Sequence, residues 1–338
     1  MPAKATLDLG PARPVLDSEL RRHLHTPARG AVARAIALNF ALLAGAYVAV
    51  AIVGSVVGWV VAFSLMVVVQ TRMATLMHEA AHGLLAEDAR LNDRLGDWLT
   101  AWPIGMTVEA YRRNHMRHHA RLGTNDDQDF TRLCLPPIRD GLLASIVRSA
   151  VGWRHVQLLL KYVGDSDVAP GERESVTCSS AAGRIGWQLG LFTIGAAIGH
   201  PWFHPLLWLA PLFTAGILIN EVRTIVEHTP LVDPGDDRPV PLVPLTRTIR
   251  GGLVVRSWFA PLNFNYHHEH HLYPGVPFSR LPELHRTLAE SGHFDRHPGV
   301  LWLGYRLVLR ALWSHYGPGR PRLRITLGYG GVLGAIRG

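Results

Sequence analysis

Cysteine is nearly absent from this chain, whose 338 residues include only Cys134 and Cys178. Two cysteines exclude a disulfide-stabilised scaffold and a zinc module built on thiolates. Charged residues are also few, at 18%, against about 25% in typical soluble domains. The net charge of +8 comes from scattered Arg and Lys residues that form no recognition motif, so nucleic acid is not an expected partner.

Two long segments, residues 35–71 and 185–220, contain no charged residue and are rich in Ala, Val, Leu and Ile. Because a helix needs about 20 apolar residues to cross a bilayer, each segment is long enough for two spans joined by a tight turn. Either Gly54-Ser55 or Gly58 marks the first turn, and two prolines within residues 200–205 mark the second. We therefore predict spans at about 36–53, 55–73, 184–200 and 206–222.

The loops predict which ends of these spans face the cytoplasm. Residues 1–34 contain six basic residues, whereas the turns inside the two pairs of spans contain none. The positive-inside rule then puts residues 1–34, the middle segment and the C-terminal third in the cytoplasm. We expect an all-α integral membrane protein, with four transmembrane helices in two hairpins and a cytoplasmic helical cap. A soluble bundle of buried helices is the alternative.

Histidine is abundant, at 19 residues, and its clusters lie at or beyond the predicted cytoplasmic ends of the spans. One cluster has the spacing H-x-x-x-H, which puts both imidazoles on one helix face. Two clusters contain H-x-x-H-H, whose adjacent histidines point about 100° apart and can serve two different ions. With one isolated histidine after the fourth span, the set is His78, His82, His115, His118, His119, His228, His267, His270 and His271.

Nine imidazoles exceed what one four-coordinate ion can use, so this set predicts two metal ions. Imidazole ligation suits iron, copper, nickel or zinc. Redox chemistry at a two-metal site without thiolates favours iron.

The histidine clusters and their neighbours resemble the integral-membrane fatty acid desaturase and hydroxylase superfamily over roughly residues 35–290. The neighbouring motifs that carry this resemblance are Arg112-Arg113-Asn114-His115, Leu122-Gly123-Thr124-Asn125-Asp126-Asp127, Asn265-Tyr266 before the last cluster, Leu272-Tyr273-Pro274 after it, and Leu281-Pro282-Glu283-Leu284-His285.

This resemblance implies a non-haem di-iron centre in the cytoplasmic cap, with the nine histidines above as ligands and dioxygen as co-substrate. His268 occupies a variable place in the last cluster and is not carried over as a ligand. The chain is then a membrane desaturase-like domain over 35–290, with a cytoplasmic segment at 1–34 and a cytoplasmic tail at 291–338. The expected electron donor is ferredoxin with its reductase, and the expected location is the inner or cytoplasmic membrane.

The reaction most in keeping with the resemblance is desaturation of an unactivated alkyl chain that is fatty acyl or lipid-like. The same ligand set also serves hydroxylation and ketolation, and small polar metabolites are substrates within the superfamily. Both alternatives therefore stay open.

Two unrelated functions also fit part of the pattern. Residues 78–82 spell H-E-x-x-H, the zinc metalloprotease signature, with Glu79 as the general base of an intramembrane protease. That function leaves seven clustered histidines unused. A metal transporter places its ligands near the bilayer midplane, whereas these ligands lie at span ends.

Metal-bound imidazoles usually donate their second N–H to a carboxylate or carbonyl group. Several acidic and polar residues are near the clusters in sequence and are candidates for this support or for holding a water. They are Glu79, Asp126, Asp127, Glu227, Glu269, His268, Asn263 and Asn265.

Four arginines flank the second cluster and are candidates for neutralising an anionic substrate head group: Arg112, Arg113, Arg117 and Arg121. The alternative is that they face anionic lipid or pair with acidic residues at 126, 127 and 129.

Overall fold

A computed structural model describes residues 14–124, 126–134, 137, 140–153, 178–231, 245–318, 324–327 and 333–336. These residues are mostly helical, as predicted. The α-helices are α1 (Ser18–Leu24), α2 (Ala31–Val53), α3 (Val56–Ala81), α4 (Ala89–Gly96), α5 (Val108–Arg121), α6 (Leu142–Ala150), α7 (Cys178–Ala197), α8 (Ala210–Phe213), α9 (Ala215–His228), α10 (His267–Leu272), α11 (Leu281–Glu290), α12 (His293–Arg296) and α13 (Tyr305–Tyr316).

Short turns of other helix types extend or connect these elements. They are π-helical at Asp97–Ala101, Phe130–Cys134, His204–Leu209 and Val255–Phe259, and 3₁₀-helical at Trp102–Ile104.

Four short strands depart from the all-α prediction. Strand β1 (Thr248–Ile249) pairs in parallel with β2 (Leu301–Trp302). Strand β3 (Arg324–Leu327) forms an antiparallel pair with β4 (Leu333–Ile336). Strands of two to four residues are too short to leave a readable alternation of apolar and polar residues, so the sequence pattern missed them.

Three helical segments are long and apolar enough to cross a membrane: Ala31–Val53, Val56–Ala81 and His204–His228. The last of these joins a π-helical turn, α8 and α9 in succession. The third predicted span, 184–200, falls on α7, which is not among these three. Arg184, Gln188 and several glycines make α7 less apolar than the others. The count of four spans therefore stays a prediction.

The turn between the first two spans lies where the glycine and serine predicted it. Gly54 ends α2 in the left-handed conformation, with φ of 56°, which glycine adopts without steric cost. The Ser55 hydroxyl then accepts a hydrogen bond from the backbone N–H of Gly58 at 3.4 Å and caps the start of α3.

The chain divides into two compact units. The span unit comprises residues Arg29–Arg112 and Arg148–Asn220. Its core contains Met66, Phe203 and Trp208, all nearly inaccessible to solvent. The side-chain amide of Gln70 donates to the carbonyl of Trp208 at 2.7 Å, so a polar side chain inside α3 is hydrogen-bonded within this apolar core.

The histidine unit comprises Met1–Ala28, Arg113–Val147 and Glu221–Gly338, and its described residues form two apolar clusters. One cluster joins the end of α9 to α13 through residues such as Val226, Leu312 and Tyr316. The other surrounds the segment after α10, with Tyr273 and Leu284 at its centre. Several residues of the predicted segment 291–338, such as Phe294, Val300 and Val308, belong to these two clusters.

Candidate metal centre

In the span unit, the end of α3 presents the first histidine pair. His78 is buried, and its ring centroid lies 4.7 Å from that of His82, the residue that follows the helix. Burial, together with the positive charge of Arg112, lowers the pKa of His82 to about 4. The ring is therefore neutral near pH 7, which is the form that binds a metal ion.

In the histidine unit, three imidazoles from two helices form what we call the first histidine group: His115 and His119 on α5, and His270 on α10. The Nε2 atoms of His115 and His119 are 3.0 Å apart. The Nε2 atoms of His119 and His270 are also 3.0 Å apart. The i, i+4 spacing on α5 brings the first two rings together, and α10 supplies the third.

The second histidine group also lies within this unit and consists of His118, His228, His267 and His271, whose ligand atoms all lie within 4.8 Å of one another. The Nε2 atom of His267 is 2.7 Å from that of His228 and 3.1 Å from that of His271. Both α5 and α10 thus supply histidines to both groups, and the adjacent His118 and His119 belong to different groups.

Three of these separations, at 3.0, 3.0 and 3.1 Å, fit imidazoles that share an ion, and the His228–His267 separation of 2.7 Å is slightly shorter. Two nitrogens at about 2.0–2.1 Å from one metal ion, at angles between 90° and tetrahedral, lie about 2.9–3.4 Å apart. Two rings also have their other nitrogen occupied. The Nδ1–H of His228 donates to the carbonyl of Leu245 at 2.8 Å, and Nδ1 of His118 lies 2.9 Å from Asp127 Oδ2. The Nε2 lone pairs of both rings therefore face the group, so the residues present suit a metal ion.

The charge state of His267 and His271 in the second group also suits metal binding. Burial, followed by nearby positive charge, lowers the pKa values of His267 and His271 well below the ordinary value, so both are neutral at pH 7. Burial also opposes charge on His118, but the hydrogen bond to Asp127 and its negative charge outweigh it and raise the pKa of His118.

Comparison with known proteins identifies the family. The sequence model of the family described as "Fatty acid desaturase" matches residues 54–303. The chain belongs to the fatty acid desaturase family. This family is one of non-haem iron enzymes, in keeping with histidine groups able to bind metal ions.

Three relatives illustrate the range of the likeness. The chain is 27% identical over 220 residues to dihydrorhizobitoxine desaturase of Bradyrhizobium elkanii, a match that covers 62% of this chain and 61% of that protein. It is 29% identical to a beta-carotene ketolase of Paracoccus sp. (strain PC1), covering 63% and 73%. It is 23% identical to an acyl-lipid (8-3)-desaturase of Thraustochytrium sp, covering 68% and 56%.

Three of the predicted supporting carboxylates lie beside histidines of the predicted ligand set. Asp127 contacts His118, as described above. Glu227 Oε2 lies 3.6 Å from Nε2 of His267, and the Tyr305 hydroxyl donates to the other oxygen of Glu227 at 3.4 Å. In the span unit, Glu79 Oε1 lies 3.6 Å from Nδ1 of His78.

The other predicted supporting residues have different partners. Glu269 accepts hydrogen bonds from the His285 ring and the Thr248 hydroxyl. The ring of His268 contacts Thr246 Oγ1 at 2.7 Å and Nε2 of His293 at 3.0 Å.

The two asparagines and Asp126 have the following surroundings, and their predicted roles stay predictions. The side-chain amide of Asn263 donates to the carbonyl of Phe278 at 3.0 Å. Asn265 is buried, and its Oδ1 has no hydrogen-bond partner among the described residues. Asp126 is exposed, and its backbone N–H donates to the Thr124 hydroxyl at 3.3 Å.

Arg112 has a structural role, and its candidate contact with a substrate head group stays a prediction. Its Nε donates to the carbonyl of Ala81 and its Nη2 to that of Ala80, both at 2.9 Å. Its Nη1 also donates to the Asp93 carboxylate at 3.0 Å. The guanidinium therefore caps the end of α3 that carries the first histidine pair. Of the other three arginines, Arg121 is exposed, and residues 113 and 117 are half-buried.

Sequence reasoning missed His285, Thr248 and Arg247. His285 belongs to a motif that carried the family resemblance, so a signal for it was present. Arg247 stands alone between two threonines, and nothing in its local sequence indicates a buried role.

Proposed function

We propose that this chain is a dioxygen-dependent, membrane-bound di-iron desaturase that introduces a C=C bond into an unactivated alkyl chain, most in keeping with a fatty acyl or lipid-like substrate. The observation that carries the proposal is the presence of two separate histidine groups in a member of the fatty acid desaturase family, with α5 and α10 each supplying histidines to both groups.

The proposed ligand set is the one implied by the family resemblance. It comprises His78, His82 and the members of the first and second histidine groups. Nine imidazoles without a thiolate favour two irons for redox chemistry. Iron bound there would supply the activation of dioxygen and the abstraction of hydrogen from an unactivated C–H bond.

The chain's own contribution is to prepare the ligands. Burial keeps His267 and His271 neutral, and the contacts of His118 and His228 with Asp127 and Leu245 orient their Nε2 atoms. How the substrate carbon is held relative to this centre then selects the product, because catalysis depends on the geometry of the reacting atoms.

A ketolase or hydroxylase is the second candidate, since the chain is 29% identical to a protein named beta-carotene ketolase. A desaturase of a small polar metabolite is the third, because dihydrorhizobitoxine desaturase is 27% identical. The chain spans about 61% of the length of that relative. Its activity and substrate are therefore proposals.

We further propose that the active site faces the cytoplasm from the inner membrane and that ferredoxin with its reductase supplies electrons. The basic N-terminal residues support the orientation. A zinc protease and a metal transporter explain only part of the histidine set, and a di-iron enzyme uses nine members of it.

The test is expression with a ferredoxin system under ¹⁸O₂, followed by mass spectrometry of the lipid extract and the polar metabolites. A product two mass units lighter that contains no ¹⁸O supports desaturation. Incorporated ¹⁸O supports the ketolase or hydroxylase. The His270→Ala variant is the matched control and should give neither product. If wild-type and variant extracts are identical, the proposal fails.

A further inference from the structure

We infer that the segment Leu245–Ile249, here called the bracing segment, sets the spacing between α9 and α10 and so positions the imidazoles of the second histidine group. This inference rests on the proposed function for the identity of the metal ligands. All five residues of the segment are buried, none being more than 6% exposed. No residue of the segment belongs to either histidine group.

The bracing segment holds the end of α9 at three points. The carbonyl of Leu245 accepts the Nδ1–H of His228 at 2.8 Å. The Arg247 guanidinium donates to the carbonyls of Val226 at 2.9 Å and Thr229 at 2.7 Å. In an α-helix the carbonyl of residue 226 would accept from the N–H of residue 230, but residue 230 is proline and has no N–H. Arg247 therefore supplies the donor that the sequence removes.

The bracing segment also holds α10. The Thr248 hydroxyl donates to Glu269, and Thr246 Oγ1 lies 2.7 Å from Nδ1 of His268. His268 and Glu269 lie between His267 and His270 in α10, and neither belongs to a histidine group. The backbone N–H of Ile249 donates to the carbonyl of Asn265, two residues before α10, at 3.0 Å.

An extended backbone explains how so short a segment reaches two helices. Successive side chains of a strand point in opposite directions, and here Arg247 contacts the end of α9 while Thr246 and Thr248 contact α10. Strand pairing fixes the segment itself, because the N–H of Thr248 donates to the carbonyl of Val300 at 2.7 Å next to β2. The helix α10 has only six residues, so external contacts are needed to hold its orientation.

These contacts set the distance between the rings of His228 and His267. Nε2 of His228, on α9, and Nε2 of His267, on α10, are 2.7 Å apart. Both helices are held by the bracing segment, so loss of its contacts lets the two rings separate or rotate. Groups that orient metal ligands typically change metal affinity about 10- to 100-fold when they are removed.

The experiment compares Co²⁺ binding by the full-length apo protein and its variants in nanodiscs, using the ligand-field absorption of Co²⁺ as the signal. Arg247→Lys keeps the charge but loses the planar fork that reaches two carbonyls. Thr248→Val removes the hydroxyl at nearly constant volume, and Thr248→Ser is the conservative variant that keeps it. Arg72→Lys is the matched control, because Arg72 is another buried arginine and donates to the carbonyl of Ala35 at 3.0 Å. The melting temperature of each apo protein is measured in parallel.

We expect wild type to bind two Co²⁺ ions. Arg247→Lys and Thr248→Val should weaken at least one of them by about 10- to 100-fold, Thr248→Ser should restore most of the affinity, and Arg72→Lys should lower only the melting temperature. Unchanged affinity in both bracing variants overturns the inference and leaves the proposed centre standing. A loss of affinity equal to that of Arg72→Lys also overturns it. If wild type binds a single ion, the proposed di-metal centre fails. The inference on the bracing segment then stands or falls with the change in affinity for that ion in the bracing variants. If wild type binds none, both fail.

Discussion

The Nδ1 atom of His118 lies 2.9 Å from Oδ2 of Asp127, and both side chains are buried. The carboxylate is itself held by backbone N–H groups, that of Phe130 at 3.1 Å on Oδ1 and that of Gly123 at 3.4 Å on Oδ2. A carboxylate oxygen can only accept here, so the proton is on Nδ1 and the Nε2 lone pair is free to bind a metal ion.

Removal of the Asp127 charge should therefore weaken metal binding by the second histidine group. We expect Asp127→Asn to lower the affinity of one Co²⁺ ion about 10- to 100-fold, because an amide polarises the imidazole less than a carboxylate does. The measurement is Co²⁺ titration of the apo protein. Asp126→Asn, the exposed neighbour, is the control and should titrate as wild type. Equal behaviour of the two variants would contradict the role given to Asp127.

Two neighbouring histidines on α10 should differ in their effect on metal content. His270→Ala removes a member of the first histidine group and is expected to lose at least one iron per chain and all product formation. His268→Ala removes a ring that lies outside both histidine groups and contacts Thr246 and His293, so it should lose less iron than His270→Ala. The measurement is iron per chain in the purified protein. Equal iron loss in the two variants would show that the assignment of rings to groups is wrong.

Local periodicity accounts for what the sequence predicted. Spacing along one helix is enough to separate His118 from His119 and to join His115 with His119, because these relations depend only on 3.6 residues per turn. The turn at Gly54 was predictable for a similar reason, since a glycine between two apolar runs suits a left-handed residue.

Relations between distant segments were not predictable in this way. Glu269 was expected to support an imidazole ligand of the metal, yet it accepts from Thr248, 21 residues earlier, and from His285. Arg112 was expected at a substrate head group, yet it caps a helix 31 residues earlier in the chain. Such pairs depend on the path of the folded chain, which leaves no periodic trace in the sequence.

The Arg112–Asp93 pair predicts a dependence of stability on pH. Hydrogen bonds from the Arg112 guanidinium lower the pKa of Asp93 below its ordinary value of 3.8. A carboxyl whose pKa is lowered by folding stabilises the protein above its ordinary pKa and loses that effect as the pH falls through the lowered value. The melting temperature of wild type should therefore exceed that of Asp93→Asn at pH 6, and the difference should shrink as the pH falls below 3.8 and vanish below the lowered pKa.

The size of this effect is limited by solvent, because both side chains are partly exposed, and such pairs contribute about 1 kcal/mol or less. Glu87→Gln, which alters an exposed carboxylate, is the control and should give no such pH dependence. A difference between wild type and Asp93→Asn that does not shrink as the pH falls below 3.8 would indicate a packing effect instead of a charge effect.

Glycines on α7 predict a contrast in stability. A Cβ added to Gly183 would lie 2.3 Å from the ring of Trp102, whereas one added to Gly186 would meet nothing within 4 Å. Gly183→Ala should therefore force the indole aside and destabilise the span unit by about 1–3 kcal/mol. Gly186→Ala should be neutral or slightly stabilising, because alanine favours a helix. Thermal unfolding in detergent measures both, and equal melting temperatures would contradict the close packing of α7 on Trp102.

The same helix decides the number of membrane crossings. If α7 spans the bilayer, the turn at its end near His200 lies on the same side as the turn at Ser55, and Glu87, after α3, lies on the opposite side. In a background with Cys134→Ala and Cys178→Ala, an impermeant maleimide added to intact cells should then label Ser55→Cys and His200→Cys. Glu87→Cys should react only after the membrane is permeabilised. We expect this result because the N-terminal segment is basic, which places it in the cytoplasm, and two crossings return the chain there before residue 87. Labelling of Ser55→Cys but not of His200→Cys in intact cells would instead mean that α7 does not cross the bilayer and that the prediction of four spans is wrong.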